Sequence, residues 1–450
     1  MAVITASMLR HAATCDRRLW LDQRDGAATL TPLVAYKTTL GHAHERDVQE
    51  AGEAVQVATW AEGVALTAAW MRAGVSLIQQ GFLELELSPS VMLRGRADRL
   101  VRGRDGGYMP VEIKRYGMLA DADFVQLDLY CALAGVTRGE FWLGQPVRRV
   151  PHRFDQQRLY QAVDRTLRAV SGDEPPVRIE PHCKECPWYG GCWEIARQSG
   201  EIALVSGLRR DSREALYLRG IRTVEQLAQL SPDELRQIRG IKTTAASIRA
   251  GAEALYLGQP VWHGELPDHC VLPGVMFDCE TDPASGVPWS LGWLEGEAAH
   301  VALVGCGSSR RISDGTQVHV VPSPDAAWAC MADSLAGSRD PIFHWTGYDF
   351  GVLNATAPAS VKAALAPRFV DLHRAFSQAV RFPVDGTSLK RVAAYLGYQW
   401  RAYESWFAAW EDYRAWLRTG HDDALERSLA YQMDDVIALG KVWEWLSTSR

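Results

Sequence analysis

The sequence lacks any long apolar run. Nowhere in its 450 residues do 18 or more apolar residues follow one another, the length that a membrane-spanning helix needs. It also lacks the pattern of a secretory signal, because charged side chains stand among the short apolar stretches of the N-terminal region: Arg10, His11, Asp16, Arg17 and Arg18. We therefore expect a cytoplasmic protein with no membrane partner.

A net positive charge is also missing, since the formal charge is -6. No whole-chain basic field therefore indicates a nucleic-acid partner. Locally the balance reverses: residues 91–120 carry seven Lys and Arg against three Asp and Glu, and residues 201–250 carry nine against six. Such patches are typical of an enzyme that contacts phosphates and keeps its carboxylates for metal, although an ordinary solvated surface explains the charges equally well.

Disulfides are not expected in a cytoplasmic chain, so the nine cysteines are predicted to be metal ligands, core residues or free thiols. Four of them stand out by position, one near the N-terminus and three in the run Cys-x2-Cys-x5-Cys: Cys15, Cys183, Cys186 and Cys192. The other five have no ligand spacing and are predicted to be core or free thiols: Cys131, Cys270, Cys279, Cys306 and Cys330.

The length predicts two or three domains, and 47% apolar residues are ample for their cores. Changes in composition divide the chain into three segments, residues 1–200, 201–260 and 261–450. In the first segment, apolar spacing predicts a helix over Glu53–Met71. Two strands follow, Val91–Arg102 and Tyr108–Arg115, joined by a Gly-rich hairpin turn. Helices packed on such a small sheet predict an α/β or α+β domain.

Residues 201–260 predict paired helices. Ser231 and Pro232 are typical of a helix start, and a second helix follows a short turn that contains Gly240. The Arg-Gly-Ile-basic-Thr text of this turn already occurs over Arg219–Thr223, which indicates a doubled helix-hairpin-helix unit. A plain helical linker is the alternative. The unit's turn can offer backbone N–H groups to a DNA phosphate, so we expect DNA to contact four residues: Arg239, Gly240, Lys242 and Thr243.

Residues 261–450 predict a second α/β domain. A strand is expected over Val275–Thr281, followed by a hairpin of the strands Trp289–Leu294 and His300–Val304. Strands and helices then alternate to the C-terminus. The chain as a whole is therefore predicted to be multidomain and α/β.

A first set of candidate catalytic residues lies on the strand pair of the first segment. Asp98 is on one strand, and Glu112 and Lys114 are on the next. Glu112 and Lys114 share a face because side chains alternate along a strand. Carboxylates bind Mg²⁺ or Mn²⁺, the metal lowers the pKa of a bound water, and a lysine can position that water. This set predicts metal-dependent cleavage of a phosphodiester.

With two flanking motifs, this set resembles the RecB-like nucleases of the PD-(D/E)xK, restriction-endonuclease-like fold, and in particular their CRISPR-associated and AddB-type iron–sulfur members. The motifs are Gly41-His42-Ala43-His44-Glu45 and Gln126-x3-Tyr130. The resemblance covers about residues 1–200. It implies that His44, Asp98 and Glu112 are metal ligands and that Lys114 is the catalytic lysine. Gln126 and Tyr130 are implied to lie near the substrate. His44 is preferred to His42 because the motif's Glu is adjacent to it.

The cysteines complete the pattern of these nucleases. The resemblance implies a [4Fe–4S] cluster with thiolate ligands at Cys15, Cys183, Cys186 and Cys192. Zinc in a Cys₄ site is the alternative, because tetrahedral thiolates suit it equally well. In either case we expect the site to join the two ends of the first domain and to take no part in the phosphate chemistry.

A second set of candidate catalytic residues lies in the last segment. Asp278 and Glu280 share a strand face, Asp349 follows a later strand, and Tyr431 and Asp435 lie one helical turn apart. This order resembles the DEDD exonuclease branch of the RNase H-like fold, in which two metals stabilise the attacking and leaving oxygens. The Tyr-x-x-x-Asp spacing implies that Tyr431 orients the attacking water. The text before Asp349 departs from the usual pattern, which has an Asn there.

The order of the three segments resembles a bacterial family of RecB-like nucleases over the whole chain. It implies a metal-dependent DNA nuclease with two candidate active sites, the second a 3'–5' exonuclease. Single-stranded ends or branched DNA are the expected substrates, in repair, phage defence or CRISPR spacer processing, and a helicase or a CRISPR or repair protein is the expected partner. Two alternatives remain, a DNA-binding adaptor with one or both sites inactive and an RNA exonuclease.

Overall fold

The computed structural model describes residues 1–26, 28–48, 52–402 and 405–449. The chain forms two compact units, Met1–Ile195 and Ala196–Arg450. Each unit contains helices and a seven-stranded mixed sheet, which confirms the multidomain α/β prediction. No helix within the described ranges is both long and apolar enough to cross a membrane.

The first unit surrounds its sheet with helices. Its elements in chain order are β1 (Ala2–Thr5), α1 (Ala6–Thr14), α2 (Asp16–Arg24), α3 (Pro32–Asp47), β2 (Glu53–Ala54), α4 (Trp60–Ala73), β3 (Leu77–Ser88), β4 (Val91–Arg102), β5 (Tyr108–Lys114), α5 (Asp121–Ala134), β6 (Arg138–Leu143), β7 (Arg148–Arg153), α6 (Gln156–Ser171) and α7 (Tyr189–Gln198), whose last three residues belong to the second unit.

Helix α4 begins later than the sequence predicts. Thr59 is its N-cap: the Thr59 hydroxyl accepts from the Glu62 N–H at 3.3 Å, and the Glu62 carboxylate accepts from the Thr59 N–H at 3.0 Å. This capping box satisfies two N–H groups at the helix start and fixes it there. The prediction of a helix from Glu53 was therefore wrong, and Glu53–Ala54 instead pairs with β3.

The sheet of the first unit has the order β2-β3-β4-β5-β6-β7, with β1 also paired to β4. The predicted strands β4 and β5 are confirmed and antiparallel. Their last registered pair sets Arg99 opposite Val111, so the next residues, Asp98 and Glu112, lie across from each other. The candidate carboxylates of the two strands therefore meet at the point along β4 where its pairing with β5 ends. Nearer its N-terminal end, β4 pairs with β1 instead.

The second unit combines a helical segment with a second sheet. Its elements are α8 (Arg210–Leu218), α9 (Val224–Ala228), α10 (Pro232–Arg236), α11 (Ala245–Leu257), β8 (Val261–Trp262), β9 (Val275–Thr281), β10 (Pro288–Glu295), β11 (Ala298–Val304), β12 (Arg310–Arg311), β13 (Gln317–Val321), α12 (Pro324–Ser334), β14 (Ile342–His344), α13 (Gly347–Thr356), α14 (Ala359–Leu365), β15 (Phe369–Asp371), α15 (Leu372–Ala379), β16 (Val380–Arg381), α16 (Leu389–Tyr395), α17 (Trp406–Thr419) and α18 (Asp422–Thr448).

The repeated sequence of the helical segment corresponds to a repeated structure. Gly220 follows α8 with φ +79°, and Gly240 follows α10 with φ +81°, a backbone conformation that favours glycine. The isoleucine after each glycine packs into the core that α8–α11 share, Ile241 fully and Ile221 partly buried. Each copy is therefore a helix, a tight turn and a helix.

The main sheet of the second unit has the order β12-β13-β11-β10-β9-β14-β15. Its central strand β9 is antiparallel to β10 and parallel to β14. Phe277 and Cys279 of β9 belong to the apolar core, while Asp278 and Glu280 alternate with them and face the other side, which α18 covers. The sheet and α18 together position the second set of candidate residues.

Candidate active sites

Three carboxylates meet between β9 and α18. One oxygen from each of Asp278, Glu280 and Asp435 lies within 4.8 Å of the other two. Across the described part of the chain, no other three His, Cys, Asp or Glu side chains bring their ligand atoms so close. We call these three residues together with Asp349 the second acidic site.

Burial, and after it the repulsion between neighbouring carboxylates, determines the electrostatics of the second acidic site. Loss of hydration and the neighbouring carboxylates raise the pKa of Asp278 and of Glu280 well above their usual range. Burial likewise raises the pKa of Asp435. Among the neighbouring charges, Asp349 has the largest effect on the pKa of Asp278. A proton or a hard divalent cation reduces the unfavourable energy of such buried carboxylates, so the donor set fits Mg²⁺ or Mn²⁺.

Asp349 lies in the first turn of α13, close enough to affect the pKa of Asp278 but outside the group of three oxygens that converge within 4.8 Å. The Cys279 thiol donates to Asp349 Oδ1 at 3.4 Å, and His344 Nδ1 lies 3.8 Å from Asp349 Oδ2. The N-cap of α13, Thr346, has a backbone φ of +85°, which is rare for residues other than glycine. This turn follows β14 directly and places Asp349 beside β9, although the sequence before Asp349 lacks the Asn that the exonuclease pattern has there.

Tyr431 is held from two sides. Lys390 Nζ on α16 donates to the Tyr431 hydroxyl at 2.8 Å, and that hydroxyl is also hydrogen-bonded to Asp435. The positive charge of Lys390 acts to lower the pKa of Asp435 against the effect of burial. Sequence reasoning missed Lys390 because only the fold joins it to Tyr431, 41 residues away.

The segment before α17 supplies a further contact that the sequence did not indicate. The Trp400 indole N–H donates to Asp435 Oδ1 at 2.7 Å. The preceding carboxylate, Asp434, is buried away from the site, where it accepts from the Tyr398 hydroxyl at 2.9 Å and from Arg401 Nε at 2.6 Å. Asp434 therefore anchors the segment that carries Trp400, and Asp435 faces the other carboxylates.

The first acidic site consists of Asp98 on β4 with Glu112 and Lys114 on β5, and the structure brings all three together. The Ile113 N–H donates to Asp98 Oδ2 at 2.8 Å, and Lys114 Nζ donates to Glu112 Oε1 at 2.6 Å. Glu112 Oε2 is buried without a hydrogen-bond partner in the described structure. An unpartnered buried carboxylate oxygen is costly, so this atom suits a cation.

Of the two motif residues of α5, Gln126 contacts Lys114 and Tyr130 contacts Gln126. Its ammonium lies 3.3 Å from Gln126 Oε1, and Gln126 Nε2 donates to the Tyr130 hydroxyl at 2.9 Å. Asp123 on the same helix is 3.5 Å from Lys114 Nζ. These contacts hold the lysine in place between α5 and β5.

His44 and Glu45 are neighbours on α3 but lie in different surroundings. Glu45 lines the cavity over the first acidic site, and Gln80 Nε2 lies 3.5 Å from both the Glu45 and the Asp98 carboxylates. Burial, and next the charge of Asp98, raise the pKa of Glu45 to about 7. His44 is buried and is absent from that lining, which instead includes His42. The role of His44 as a metal ligand stays a prediction, and Glu45 joins the candidates.

The cavity over the first acidic site measures about 800 Å³. Its lining combines the carboxylates with five guanidinium groups, those of Arg10, Arg46, Arg94, Arg96 and Arg99. Guanidinium groups match phosphate oxygens in geometry and charge. The cavity therefore has donors for a phosphate backbone and carboxylates for a metal.

The four spaced cysteines line one smaller cavity, of about 250 Å³. Cys15 stands between α1 and α2, and the other three lie in and before α7. Burial, and to a lesser degree the other three thiols, raise the pKa of Cys183 to about 11, and the Glu180 N–H approaches Cys183 Sγ at 3.3 Å. The structure thus places all four cysteines around one cavity, although no three of their sulfurs lie within 4.8 Å of one another.

The turn between α10 and α11 presents its predicted DNA-binding residues to solvent: Arg239, Gly240, Lys242 and Thr243. A Cβ added at Gly240 would lie 2.7 Å from the Ser212 hydroxyl oxygen, so the close approach of α8 to the turn also favours glycine there. The positive side chains of this turn are exposed and lie outside the core that α8–α11 form.

Comparison with known proteins identifies one part of the chain. A family model described as the RNase_H superfamily matches residues 275–447, the stretch that contains the whole second acidic site. A solved structure titled "Crystal structure of SSO0001" is 15% identical, with 41% of this chain and 83% of that chain covered and a TM-score of 0.27. No curated protein matches the chain. Residues 275–447 are therefore RNase H-like, which supports metal-dependent hydrolysis of nucleic acid.

Proposed function

We propose that the protein is a metal-dependent DNA nuclease with two active sites, a RecB-like iron–sulfur nuclease in residues 1–200 and a DEDD 3'–5' exonuclease in residues 261–450. The observation that carries this proposal is the convergence of the Asp278, Glu280 and Asp435 oxygens within 4.8 Å, inside the RNase H-like stretch. Single-stranded ends or branched DNA are the proposed substrates.

In the second acidic site, Asp278, Glu280, Asp349 and Asp435 would hold Mg²⁺ or Mn²⁺. The metals would supply Lewis acidity and a water of lowered pKa at the scissile phosphate. Tyr431 would orient the attacking water by its hydroxyl, which Lys390 and Asp435 hold in place. Trp400 would fix the rotamer of Asp435 by its bond to Oδ1.

In the first acidic site, Asp98 and Glu112 would share a metal, with His44 or Glu45 as a further ligand. Glu112 Oε2 is the atom best suited to it, because Oε1 is already bonded to Lys114. Lys114, held by Gln126 with Tyr130 behind it, would position the attacking water. Arginines of the cavity lining would bind the substrate phosphates.

The four spaced cysteines, Cys15, Cys183, Cys186 and Cys192, would hold a [4Fe–4S] cluster, and zinc in a Cys₄ site is the alternative. Their 250 Å³ cavity also includes Arg17 and Arg18, whose positive charge suits an anionic thiolate cluster.

The helical segment would bind the DNA backbone through the exposed turn at Gly240 and its neighbours Arg239, Lys242 and Thr243. Such contacts carry no sequence information, so we expect weak sequence preference and a strong dependence on salt. A nuclease of this kind would act with a helicase or with a CRISPR or repair protein that delivers the strand.

The proposal is tested by comparing the wild type with Asp98→Asn and Asp278→Asn on end-labelled single-stranded DNA, branched DNA and RNA, with Mg²⁺, Mn²⁺ or EDTA. Asp423→Asn is the matched control, because Asp423 is exposed at the start of α18. We expect each site variant to lose one of two cleavage patterns and the control to lose neither. A wild type that binds DNA and cleaves no substrate would instead support the adaptor, and preference for RNA would support the RNA exonuclease.

A further inference from the structure

Lys390 occupies a fixed position beside the second acidic site. Its Nζ lies 2.8 Å from the Tyr431 hydroxyl and 4.3 Å from the centroid of the same ring. The centroid of the Trp400 ring is 5.7 Å away. Two aromatic side chains that each touch Asp435 therefore also surround the one ammonium group.

A lysine at this position is unfavourable for metal binding. An ammonium group carries only donors and cannot ligate a metal, and its charge repels a divalent cation held by the nearby carboxylates. Its electrostatic influence reaches Asp278, Glu280 and Asp435 alike. The charge becomes favourable once a negative group arrives next to the metals, and in a nuclease that group is the scissile phosphate.

We propose that Lys390 is a further catalytic residue, whose ammonium binds a non-bridging oxygen of the scissile phosphate while it holds the Tyr431 hydroxyl beside Asp435. This inference rests on the proposed function of the second acidic site. An ammonium has three N–H donors, so the bond to Tyr431 is compatible with a bond to phosphate. Lys390 thereby links the phosphate to the residue that orients the water.

The test uses Lys390→Met and Lys390→Arg, with Lys441→Met as the control. Lys441 is exposed on α18 and pairs with Glu444, so its removal changes the same charge away from the site. All proteins carry Asp98→Asn, which silences the first acidic site. Three quantities are measured: Mn²⁺ affinity, affinity for thymidine 5'-monophosphate in Mn²⁺ compared with thymidine, and the rate of cleavage of single-stranded DNA.

We expect Lys390→Met to bind Mn²⁺ more tightly, by roughly threefold or more, because a repulsive charge is gone. Binding of the monophosphate should weaken by about tenfold while thymidine is unaffected, and the cleavage rate should fall by about 100-fold. Lys390→Arg should recover part of the monophosphate affinity and of the rate. Lys441→Met should match the parent protein.

Unchanged monophosphate affinity in Lys390→Met overturns the inference. Weaker binding of both Mn²⁺ and the monophosphate also overturns it, because that result is expected when a site merely loses its structure. If the parent protein binds both ligands but cleaves neither DNA nor RNA, the proposed function fails. The comparison of monophosphate affinity between the parent protein and Lys390→Met then still decides whether Lys390 binds a phosphate.

Discussion

At the scale of single residues, both candidate sites set one lysine against several poorly hydrated carboxylates. Lys114 faces Glu112 and Asp98, and Lys390 acts on Asp278, Glu280 and Asp435. In the first site the ammonium of Lys114 does not offset these effects, since burial, and next the charge of Asp98, still raise the pKa of Glu112 to about 8. The remaining negative charge is what a divalent cation would neutralise.

This imbalance predicts how the stability of the metal-free protein depends on pH. The pKa of Glu112 is raised from 4.5 to about 8, so between these values the folded state binds a proton that the unfolded state lacks. The free energy of unfolding should therefore fall as pH rises from 4.5 to about 8. Thermal unfolding in EDTA should show this fall, with a shallower slope in Glu112→Gln. A melting temperature that rises with pH over this range would contradict the assigned burial of Glu112.

The metal ligand on α3 can be identified by two matched substitutions. In an Asp278→Asn background, we expect Glu45→Gln to weaken Mn²⁺ binding and first-site cleavage by about 10- to 100-fold, because Glu45 lines the cavity. His44→Gln, one residue away, should have the smaller effect on metal affinity. The opposite ranking, measured by Mn²⁺ titration, would assign the ligand to His44.

At the scale of elements, the cysteine site joins parts of the first unit that are far apart in sequence. Cys15 stands between α1 and α2, and Cys183 lies in the turn before α7. Direct contacts run the same way: the Trp188 indole donates to Asp22 at 2.8 Å, and Lys37 pairs with Glu185 at 2.6 Å. The cluster would thus add to a set of contacts that already connects these elements.

If these cysteines hold a cluster as proposed, removal of one of them should affect folding before it affects the first acidic site. We expect Cys183→Ala to lose iron and acid-labile sulfide and to expose residues 1–200 to limited proteolysis. Cys306→Ala is the control, because Cys306 is an exposed thiol in the second unit. Selective loss of cleavage with unchanged protease resistance would assign the cluster a direct role in the chemistry, and stoichiometric zinc in colourless protein would replace the cluster altogether.

At the scale of the whole molecule, the sequence predicted the parts of each site that are local. Strand alternation placed Glu112 and Lys114 on one face, and helical spacing placed Tyr431 beside Asp435. Contacts between distant elements left no periodic signal. Lys390 shows this most clearly, because its meeting with Tyr431 requires α16 and α18 to pack together.

Prediction from the sequence was also limited where two local features of the sequence compete. The apolar spacing after Glu53 favours a helix, but the Thr59 and Glu62 capping box starts that helix several residues later. The Gly41–Glu45 motif predicts His44 as the ligand and does not indicate that its neighbour Glu45 lines the cavity. Both outcomes depend on side-chain contacts that a spacing rule does not contain.

The most direct test of the two-site account is cleavage by the Asp98→Asn variant, in which only the second acidic site remains, on 5'-labelled single-stranded DNA under single-turnover conditions. We predict a ladder that shortens from the 3' end one nucleotide at a time, requires Mg²⁺ or Mn²⁺, and disappears when Asp278→Asn is added. Absence of the ladder, or a ladder that persists in EDTA or in the double variant, would contradict the account.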